Sequence, residues 1–387
     1  MQPIVSIEDL RKLARRRVPR MFYDYVDGGS WTEATYRANR DDFSHVQLRQ
    51  RVAVDVSARS TASTMLGQPV TMPVAIAPTG LTGMVHADGE ILAARAAERF
   101  GVPFTLSTVS ICSLEDVAAH AEKPFWFQLY VLRDREFVGQ LIARARAVEC
   151  SALVLTLDLQ TSAQRNKDLR NGLSSPPRPT IRNVFDLATK PRWCFGMLGT
   201  RRHTFGNLVG RGLGLDSATS LASWTNSQYD PSLDWADVRR IRDLWPGRLI
   251  MKGLLDPEDA AMAADAGADA IIVSNHGGRQ LDGAISSISA LPAIVQAVGS
   301  RTEVHFDGGI GSGQDVYKAI ALGAVGTYIG RSMLYGLGAL GEQGVTRTLG
   351  IIRDELHATM GLTGVNAISG ITRDSLIFGT PLDRLTG

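Results

Sequence analysis

The sequence predicts an α/β protein built on a (β/α)8 TIM barrel, a closed ring of eight parallel strands surrounded by helices. Short apolar runs recur eight times between residues 73 and 329, and alanine-rich stretches with helical periodicity separate most of them. Strands that alternate with helices pair in parallel, and eight repeats are typical of this barrel. A doubly wound open sheet is the alternative. It is disfavoured because no Gly-x-Gly-x-x-Gly motif opens a helix after the first strand.

A helical cap is predicted first, over residues 1–65. Ser6 is the expected N-cap of its first helix, with Glu8 and Asp9 in the first turn. Pro19 ends that helix or begins the next, and Gly28 begins a break after an amphipathic run.

The barrel itself is predicted over residues 66–364. Helices are expected at 89–100, 134–148, 257–266, 289–298 and 313–322. The eight strands are expected at 73–77, 103–106, 125–130, 152–157, 249–252, 270–274, 303–306 and 326–329.

One interval breaks the rhythm, because about 90 residues separate the fourth strand from the fifth. We predict an insertion at about 174–232, on the barrel face that carries function. From 159 to 230, ten Lys and Arg residues stand against four Asp, a formal +6 in a chain of +2. Residues 190–211 mix these cations with bulky apolar residues, which suits a lid or an anionic membrane surface. The lid is favoured because no clear amphipathic helix is visible. Residues 365–387 are the predicted tail.

Composition excludes several classes of protein. With 387 residues, 44% of them hydrophobic and 21% charged, the chain is globular, and a net charge of +2 argues against a nucleic-acid partner. Cys112, Cys150 and Cys194 share no metal-ligand spacing, so we expect reduced thiols and no metal site. No signal peptide or membrane-spanning run is visible. We therefore expect a cytoplasmic protein, either free or peripheral on the inner face of the cell membrane.

The most informative stretch is residues 271–283, where a short apolar run gives way to polar residues and two glycines. His276, just past the predicted strand end, can accept a proton near neutral pH, and Arg279 can bind a carboxylate with its planar fork. The pair predicts a small acid with a removable proton beside its carboxylate. The alternative is that His276 caps a turn and Arg279 is a surface charge. That alternative is favoured for His276 alone but not for the pair.

Glycine-rich loops follow the seventh and eighth predicted strands, where barrels often hold phosphate. Backbone N–H groups in residues 307–313 and 330–332, together with the charge of Arg331, suit that anion. A flat, polar cofactor such as flavin mononucleotide (FMN) needs a ring of donors and acceptors at the same mouth. The other strand ends supply such groups at Pro78, Thr79, Ser107, Gln128, Tyr130, Thr156, Asp158 and Lys252.

Taken together, these motifs resemble the FMN-dependent L-2-hydroxyacid dehydrogenase and oxidase family from Ser6 to about Gly364. The stretches at 80–83, 107–110 and 164–173 are most similar to the bacterial respiratory L-lactate dehydrogenases. The shared motifs are Tyr-Asp-Tyr at 23–25, Ala-Pro-Thr-Gly at 77–80, Phe-Gln-Leu-Tyr at 127–130, Ser-Asn-His-Gly-Gly-Arg-Gln-Leu-Asp at 274–282, Asp-Gly-Gly at 307–309 and Ile-Gly-Arg at 329–331.

The resemblance implies a role for each matching position. His276 would be the active-site base, and Asp158 would support its imidazolium. Lys252 would stabilise the reduced flavin. The substrate would be bound by Tyr25, Tyr130, Arg165 and Arg279, and FMN by Ala77, Pro78, Thr79, Ser107, Gln128, Thr156, Lys252, Ser274, Asp307, Gly309, Gly330 and Arg331.

Three positions refine this expectation. Gly311 stands where many relatives carry an arginine that points at the phosphate, so FMN is expected to be held less tightly. Val109 stands where glycolate oxidases carry a tryptophan, which leaves room for a substrate side chain. Gly80 stands where several oxidases carry alanine and resembles the dehydrogenase form.

The function implied is oxidation of an L-2-hydroxy acid, first L-lactate, with a quinone or cytochrome as electron acceptor and a homotetrameric assembly. An (S)-mandelate dehydrogenase and an oxygen-using oxidase are the alternatives. A type 2 isopentenyl-diphosphate isomerase is disfavoured because His276, Arg279 and Arg165 suit a carboxylate. A flavin-binding protein with a degraded site is disfavoured because Asp158 completes an intact set.

Overall fold

The centre of the molecule is a ring of eight parallel strands. The structure, a computed structural model, describes residues 3–173, 180–208 and 228–377. The hydrogen-bonded order is β1-β8-β7-β6-β5-β4-β3-β2, and a parallel bridge between Ile76 and Phe104 joins the first strand to the second. The strands are β1 (Val74–Ile76), β2 (Thr105–Ser107), β3 (Trp126–Tyr130), β4 (Ala152–Thr156), β5 (Arg248–Leu254), β6 (Ala270–Val273), β7 (Glu303–Asp307) and β8 (Gly326–Ile329). The predicted (β/α)8 barrel is therefore confirmed.

Helices surround the ring, because each strand is buried on both faces and needs cover outside. Helices occur at all five predicted places, with ends within two residues of those expected. The α-helices are Ile7–Arg17, Arg20–Val26, Ala34–Asp41, Thr82–Val85, Gly89–Phe100, Leu114–Ala118, Arg135–Ala147, Asn166–Arg170, Ile181–Ala188, Pro191–Gly199, Trp235–Leu244, Pro257–Asp265, Ser287–Val298, Gly313–Ala321, Arg331–Leu340 and Glu342–Thr363. Short 3-10 turns lie at Asp42–His45, Ile368–Gly370 and Arg373–Ser375.

A small hairpin closes the N-terminal end of the barrel. Strands Ser63–Met65 and Gln68–Val70 pair antiparallel, and Met65 is buried in the apolar cluster inside the ring. A Cβ added to Gly326 would lie 2.4 Å from the terminal methyl carbon of Met65, so this plug requires glycine at the start of β8. One further two-stranded pair, Gln47–Leu48 with Leu376–Ile377, ties the cap to the end of the described chain.

The cap folds as its sequence predicts. Ser6 is the N-cap of the first helix, and it exchanges hydrogen bonds with Asp9 in a capping box. The second helix begins directly after Pro19. Helix Ala34–Asp41 then lies against the loops that leave β6 and β7, because Asn39 donates to Asn275 at 2.8 Å.

The insertion differs from the prediction. Two helices form where little periodicity was expected, at Ile181–Ala188 and Pro191–Gly199, and Pro191 starts the second because proline is tolerated in a first helical turn. Residues 174–179 and 209–227 of the insertion, and 378–387 of the tail, lie outside the described residues. Within the described ranges, no helix is long and apolar enough to cross a membrane.

Candidate active site

A cavity of about 550 Å³ opens at the C-terminal mouth of the barrel, between the strand ends, the cap and the insertion. This volume lies in the range of small-molecule sites. Among the predicted site residues, the cavity is lined by Tyr25, Ala77, Pro78, Thr79, Tyr130, Arg165, Lys252, His276, Arg279, Asp307, Gly309, Gly330 and Arg331. The other five, Ser107, Gln128, Thr156, Asp158 and Ser274, lie outside that lining. Of these, Asp158 and Ser274 hydrogen-bond to His276 and Lys252, which line the cavity.

The predicted base and its carboxylate partner are in contact. His276 Nδ1 lies 2.9 Å from Asp158 Oδ1, although the two residues leave different strands. Burial by itself raises the pKa of Asp158, but His276 and Lys252 hold that pKa below its ordinary value. Room for this carboxylate depends on Gly253, where an added Cβ would lie 2.5 Å from Asp158 Cγ. Because Asp158 is ionised, it accepts a hydrogen bond from Nδ1–H, and Nε2 is the ring nitrogen that can accept a proton.

Two arginines line the same cavity and lie near the ring of one tyrosine. The guanidinium of Arg279 lies 4.5 Å from the ring centre of Tyr25, and that of Arg165 lies 5.6 Å from it. Burial, followed by repulsion from Arg165, lowers the pKa of Arg279 to about 10. Arg165 is held by Asp168, with 2.6 Å between Nε and Oδ2. Two half-buried cations near one ring, one of which lowers the pKa of the other, favour an anionic ligand beside them.

Two further tyrosines, Tyr130 and Tyr229, line the same cavity. Tyr130 is buried at the end of β3, and Tyr229 meets it edge-on with ring centres 6.0 Å apart. Burial raises the pKa of Tyr229 to about 12, and that of Tyr130 well above its ordinary value. Both phenols therefore stay protonated donors. Tyr229 was not predicted from the sequence. It lies near the end of the insertion, and an antiparallel bridge to Leu132 holds it at the mouth.

A polar chain lies along one edge of the mouth. Gln128 donates to Thr156 Oγ1 at 3.0 Å and accepts from Ser107 Oγ at 3.1 Å, so these three amide and hydroxyl groups hold one another in place. All three are buried. Such a fixed set of donors and acceptors suits a flat heterocycle with several ring nitrogens and carbonyl oxygens.

The buried Lys252 lies between the polar side chains of that edge and the seventh strand. Its Nζ is 2.9 Å from Asp307 Oδ2 and 2.8 Å from Ser274 Oγ. Burial lowers its pKa, but Asp307 and Asp158 more than compensate and the pKa is raised overall. Lys252 is therefore a permanent positive charge inside the mouth.

The glycine loops lie at the other end of the cavity. Gly308 and Gly309 have φ of +106° and +95°, and a Cβ at Gly309 would lie 1.9 Å from the carbonyl oxygen of Asn39. By contrast, a Cβ at Gly311 would meet nothing closer than 3.8 Å. Arg331 points at the cap, donating to the carbonyls of Val26 and Gly28 at 3.0 and 2.7 Å.

Comparison with known proteins assigns the family. A family model described as FMN-dependent dehydrogenase matches residues 14–378. The chain belongs to the FMN-dependent dehydrogenase family. It is 47% identical over 383 residues to an L-lactate dehydrogenase of Caulobacter vibrioides, covering 98% of this chain and 99% of the relative. It is 46% identical over 379 residues to an L-lactate dehydrogenase of Actinobacillus pleuropneumoniae, covering 97% and 98%.

Solved structures agree with this assignment. The dehydrogenase matches the crystal structure of the monotopic membrane protein (S)-mandelate dehydrogenase with a TM-score of 0.93 and 38% identity, covering 98% of this chain and 100% of that one. It matches a mandelate oxidase with a TM-score of 0.82 and 36% identity, covering 95% and 97%. FMN is accordingly the cofactor of this dehydrogenase.

The geometry of the mouth fits FMN. Asp307 Oδ1 is buried and has no hydrogen-bond partner among the described residues, which suits an acceptor for a ribityl hydroxyl. The left-handed glycines of the loop after β7 bring backbone close to the cavity, as a phosphate requires. The polar chain of Ser107, Gln128 and Thr156 suits the isoalloxazine.

Proposed function

We propose that this dehydrogenase oxidises a small L-2-hydroxy acid, with L-lactate as the first candidate, to the 2-oxo acid. The observation that carries the proposal is that His276, hydrogen-bonded to Asp158, lines the same cavity as Arg279 and Arg165. A base beside two carboxylate-binding cations suits an acid whose hydroxyl is next to its carboxylate. The relatives named L-lactate dehydrogenase support lactate.

The residues that line the substrate side of the cavity each have a part in the proposed reaction. Arg279 and Arg165 bind the carboxylate, and Tyr25 and Tyr130 donate hydrogen bonds to the substrate. His276 accepts the substrate proton at Nε2, and the imidazolium that results is stabilised by Asp158, which is already ionised. The pair thus needs no proton transfer of its own.

Bound FMN supplies the acceptor for the two electrons. Lys252 would offset negative charge on the reduced ring, because its own charge is permanent and buried. Ser274 would orient Lys252, and Asp307 would hold the ribityl chain. The residues we assign to FMN are Ala77, Pro78, Thr79, Ser107, Gln128, Thr156, Lys252, Ser274, Asp307, Gly309, Gly330 and Arg331.

Mandelate is the second candidate substrate, favoured by the space at Val109. A Cβ on Gly80 would lie 2.8 Å from Val109 Cγ2 and 3.4 Å from the Tyr25 hydroxyl, so these three residues set the width of the pocket together. Valine at this position leaves room for a side chain larger than hydrogen. An oxygen-using oxidase is the alternative for the second half of the reaction.

The test is anaerobic reduction of the yellow holoenzyme. L-lactate should bleach the flavin absorbance rapidly and D-lactate should not, and the ratio of reduction rates with L-lactate and (S)-mandelate ranks the two substrates. No bleaching by any L-2-hydroxy acid would contradict the proposal. Re-oxidation then compares a quinone analogue, cytochrome c and oxygen, and rapid hydrogen peroxide formation in air would place the enzyme with the oxidases.

The insertion also supports a membrane-bound acceptor. Five apolar side chains of its two helices are 64–82% exposed, and three cations beside them, Arg182, Arg192 and Arg201, are exposed as well. We call these eight residues the insertion surface; its apolar members are Ile181, Val184, Phe185, Phe195 and Leu198. Apolar side chains beside cations suit an anionic lipid interface, to which each cation contributes about 1 kcal/mol.

We therefore propose peripheral binding to the inner face of the cell membrane, with a quinone or cytochrome as acceptor. The interface predicted at 190–211 is extended to begin at Ile181, and Arg211 lies outside the described residues. The structural neighbour titled a monotopic membrane protein supports this assignment. Co-sedimentation with anionic vesicles should fall at high salt and be lost in Phe185→Glu/Phe195→Glu. Val52→Glu is the matched control, since Val52 is 77% exposed outside the insertion.

Equal binding by the control and the double variant would contradict the membrane proposal. We further propose that the chain is one domain, 1–387, that assembles as a homotetramer, on the strength of the family resemblance. Sedimentation equilibrium of the holoenzyme tests the tetramer, and a single cooperative unfolding transition tests the single domain.

A further inference from the structure

An uncommon backbone conformation holds the proposed base. His276 has φ of +58°, in the left-handed region that residues other than glycine rarely occupy. Such a residue keeps this conformation only when its surroundings fix it, and strained residues of this kind concentrate at functional sites. The question is therefore which groups fix the turn around His276.

The neighbouring Asn275 ties the turn to the barrel. Its Oδ1 accepts from Gly278 N at 3.0 Å, and its backbone N–H donates to Ser287 Oγ at 3.2 Å. Its Nδ2 also donates to the carbonyl of Ile285 at 3.2 Å. These bonds bracket His276 on both sides.

Asn39, on the cap helix Ala34–Asp41, completes the set. The amides of Asn39 and Asn275 exchange two hydrogen bonds, each 2.8 Å long, across 236 positions of the chain. Asn39 Oδ1 also accepts from Ser287 N at 3.2 Å. Both asparagines are at least 95% buried, so either amide would lack a replacement partner if the other were removed.

We propose that Asn39 is a positioning residue for the base: through Asn275, it locks the turn that aims His276 at Asp158. The proposal rests on the proposed function for the role of His276, but not for the geometry. Its consequence is that the barrel alone does not hold a competent base. The docked cap helix is needed as well.

The same residue contacts the cofactor loop. The carbonyl of Asn39 lies where a Cβ on Gly309 would be, so the loop after β7 packs directly on the cap helix. Asn39 thus contacts both the loop that carries His276 and the glycine loop that we assign to the FMN phosphate. Because its side chain faces the base and its backbone faces the phosphate, a side-chain substitution separates the two effects.

The experiment compares Asn39→Ala with Thr35→Val in the holoenzyme. Thr35 is a matched control because it lies on the same helix, is 1% exposed and donates through Oγ1 to Ala284 O, beyond the turn. We expect Asn39→Ala to slow anaerobic flavin reduction by about 10²-fold, the loss typical of a misplaced catalytic group. FMN affinity should change less than threefold, and Thr35→Val should reduce at close to the parental rate.

A second measurement reports geometry without turnover. The Nδ1–H proton of His276, shifted downfield by its bond to Asp158 and assigned with His276→Gln, should move or broaden in Asn39→Ala but not in Thr35→Val. If Asn39→Ala fails to fold, Asn39→Asp keeps the shape and the acceptor oxygens but replaces the amide that donates to Asn275 with an oxygen. We expect a loss in the same direction.

An unchanged reduction rate and an unchanged imidazole proton in a folded Asn39 variant would overturn the proposal. Equal losses in Asn39→Ala and Thr35→Val would also overturn it, because they would indicate general loosening of the cap. If no hydroxy acid reduces the parent enzyme, the proposed function fails, but the imidazole signal still decides whether Asn39 positions His276.

Discussion

Gly311→Arg should tighten FMN binding. Position 311 has room for the side chain, because the nearest atoms to an added Cβ, Asp315 Oδ2 and the Gly309 carbonyl oxygen, are 3.8 Å away. The one predicted phosphate cation that the chain keeps, Arg331, is hydrogen-bonded to cap carbonyls. A new arginine would therefore add a cation that is not already bonded to the cap.

The size of the effect follows from one charge-assisted hydrogen bond, about 1.5–3 kcal/mol, or about 10- to 100-fold in Kd. We expect the lower end, because Asp315 competes for the guanidinium. Its carboxyl is hydrogen-bonded to Gly311 N at 3.0 Å, and burial raises its pKa. Replacing it in Gly311→Arg/Asp315→Asn should bring the gain nearer the upper end.

The assay is titration of apoprotein with FMN, followed by quenching of flavin fluorescence, and with riboflavin in parallel. Riboflavin lacks the phosphate, so its Kd should not change. Gly139→Arg is the control for added charge, since a Cβ there meets nothing within 4 Å and Gly139 does not line the cavity. An unchanged or weaker FMN Kd, or an equal gain for riboflavin, would refute the reasoning.

Four other substitutions test the proposed site residues and one ion pair. His276→Gln should keep FMN but lower dye-linked turnover by at least 10²- to 10⁴-fold; turnover within a few-fold of the parent would remove His276 from the mechanism. Arg279→Lys and Arg165→Met should each raise the KM, and Arg279→Lys should also slow flavin reduction because lysine lacks the planar fork; unchanged values would place the carboxylate elsewhere. Arg144 holds the pKa of Glu115 at about 2, below its ordinary 4.5, so the ionised pair stabilises the fold at neutral pH and loses that effect as pH falls from about 4.5 to about 2. Glu115→Gln should therefore lower the urea midpoint at pH 7 but barely at pH 2, and an equal decrease at both would contradict the assignment.

The barrel was predictable because its strands are apolar runs buried on both faces, and such runs are visible in one sequence. Much of the mouth was predictable because many of its polar groups lie at or just past the ends of those runs, as Asp158 follows β4 and Lys252 lies within β5. Proximity then follows from topology, since parallel strands end at one rim.

Contacts between distant segments were not predictable. Asn39 and Tyr229 bear no local signal, and each reaches the site only because the cap or the insertion folds back onto the rim. The orientation of Arg331 toward the carbonyls of the cap is equally a tertiary effect. The insertion helices were missed because each is short and has few buried residues, so its apolar pattern has no core to face.

The hairpin under the barrel has a consequence for the way in which the cofactor enters the protein. With Met65 filling the ring from below, a ligand as large as FMN reaches its place through the upper rim, over which the cap helices lie. Asn39, on one of these helices, packs against the loop of Gly309, so any movement of the cap during loading or release of the cofactor would disturb that loop as well. The cap therefore borders the entrance used by the cofactor and also helps to hold the proposed base.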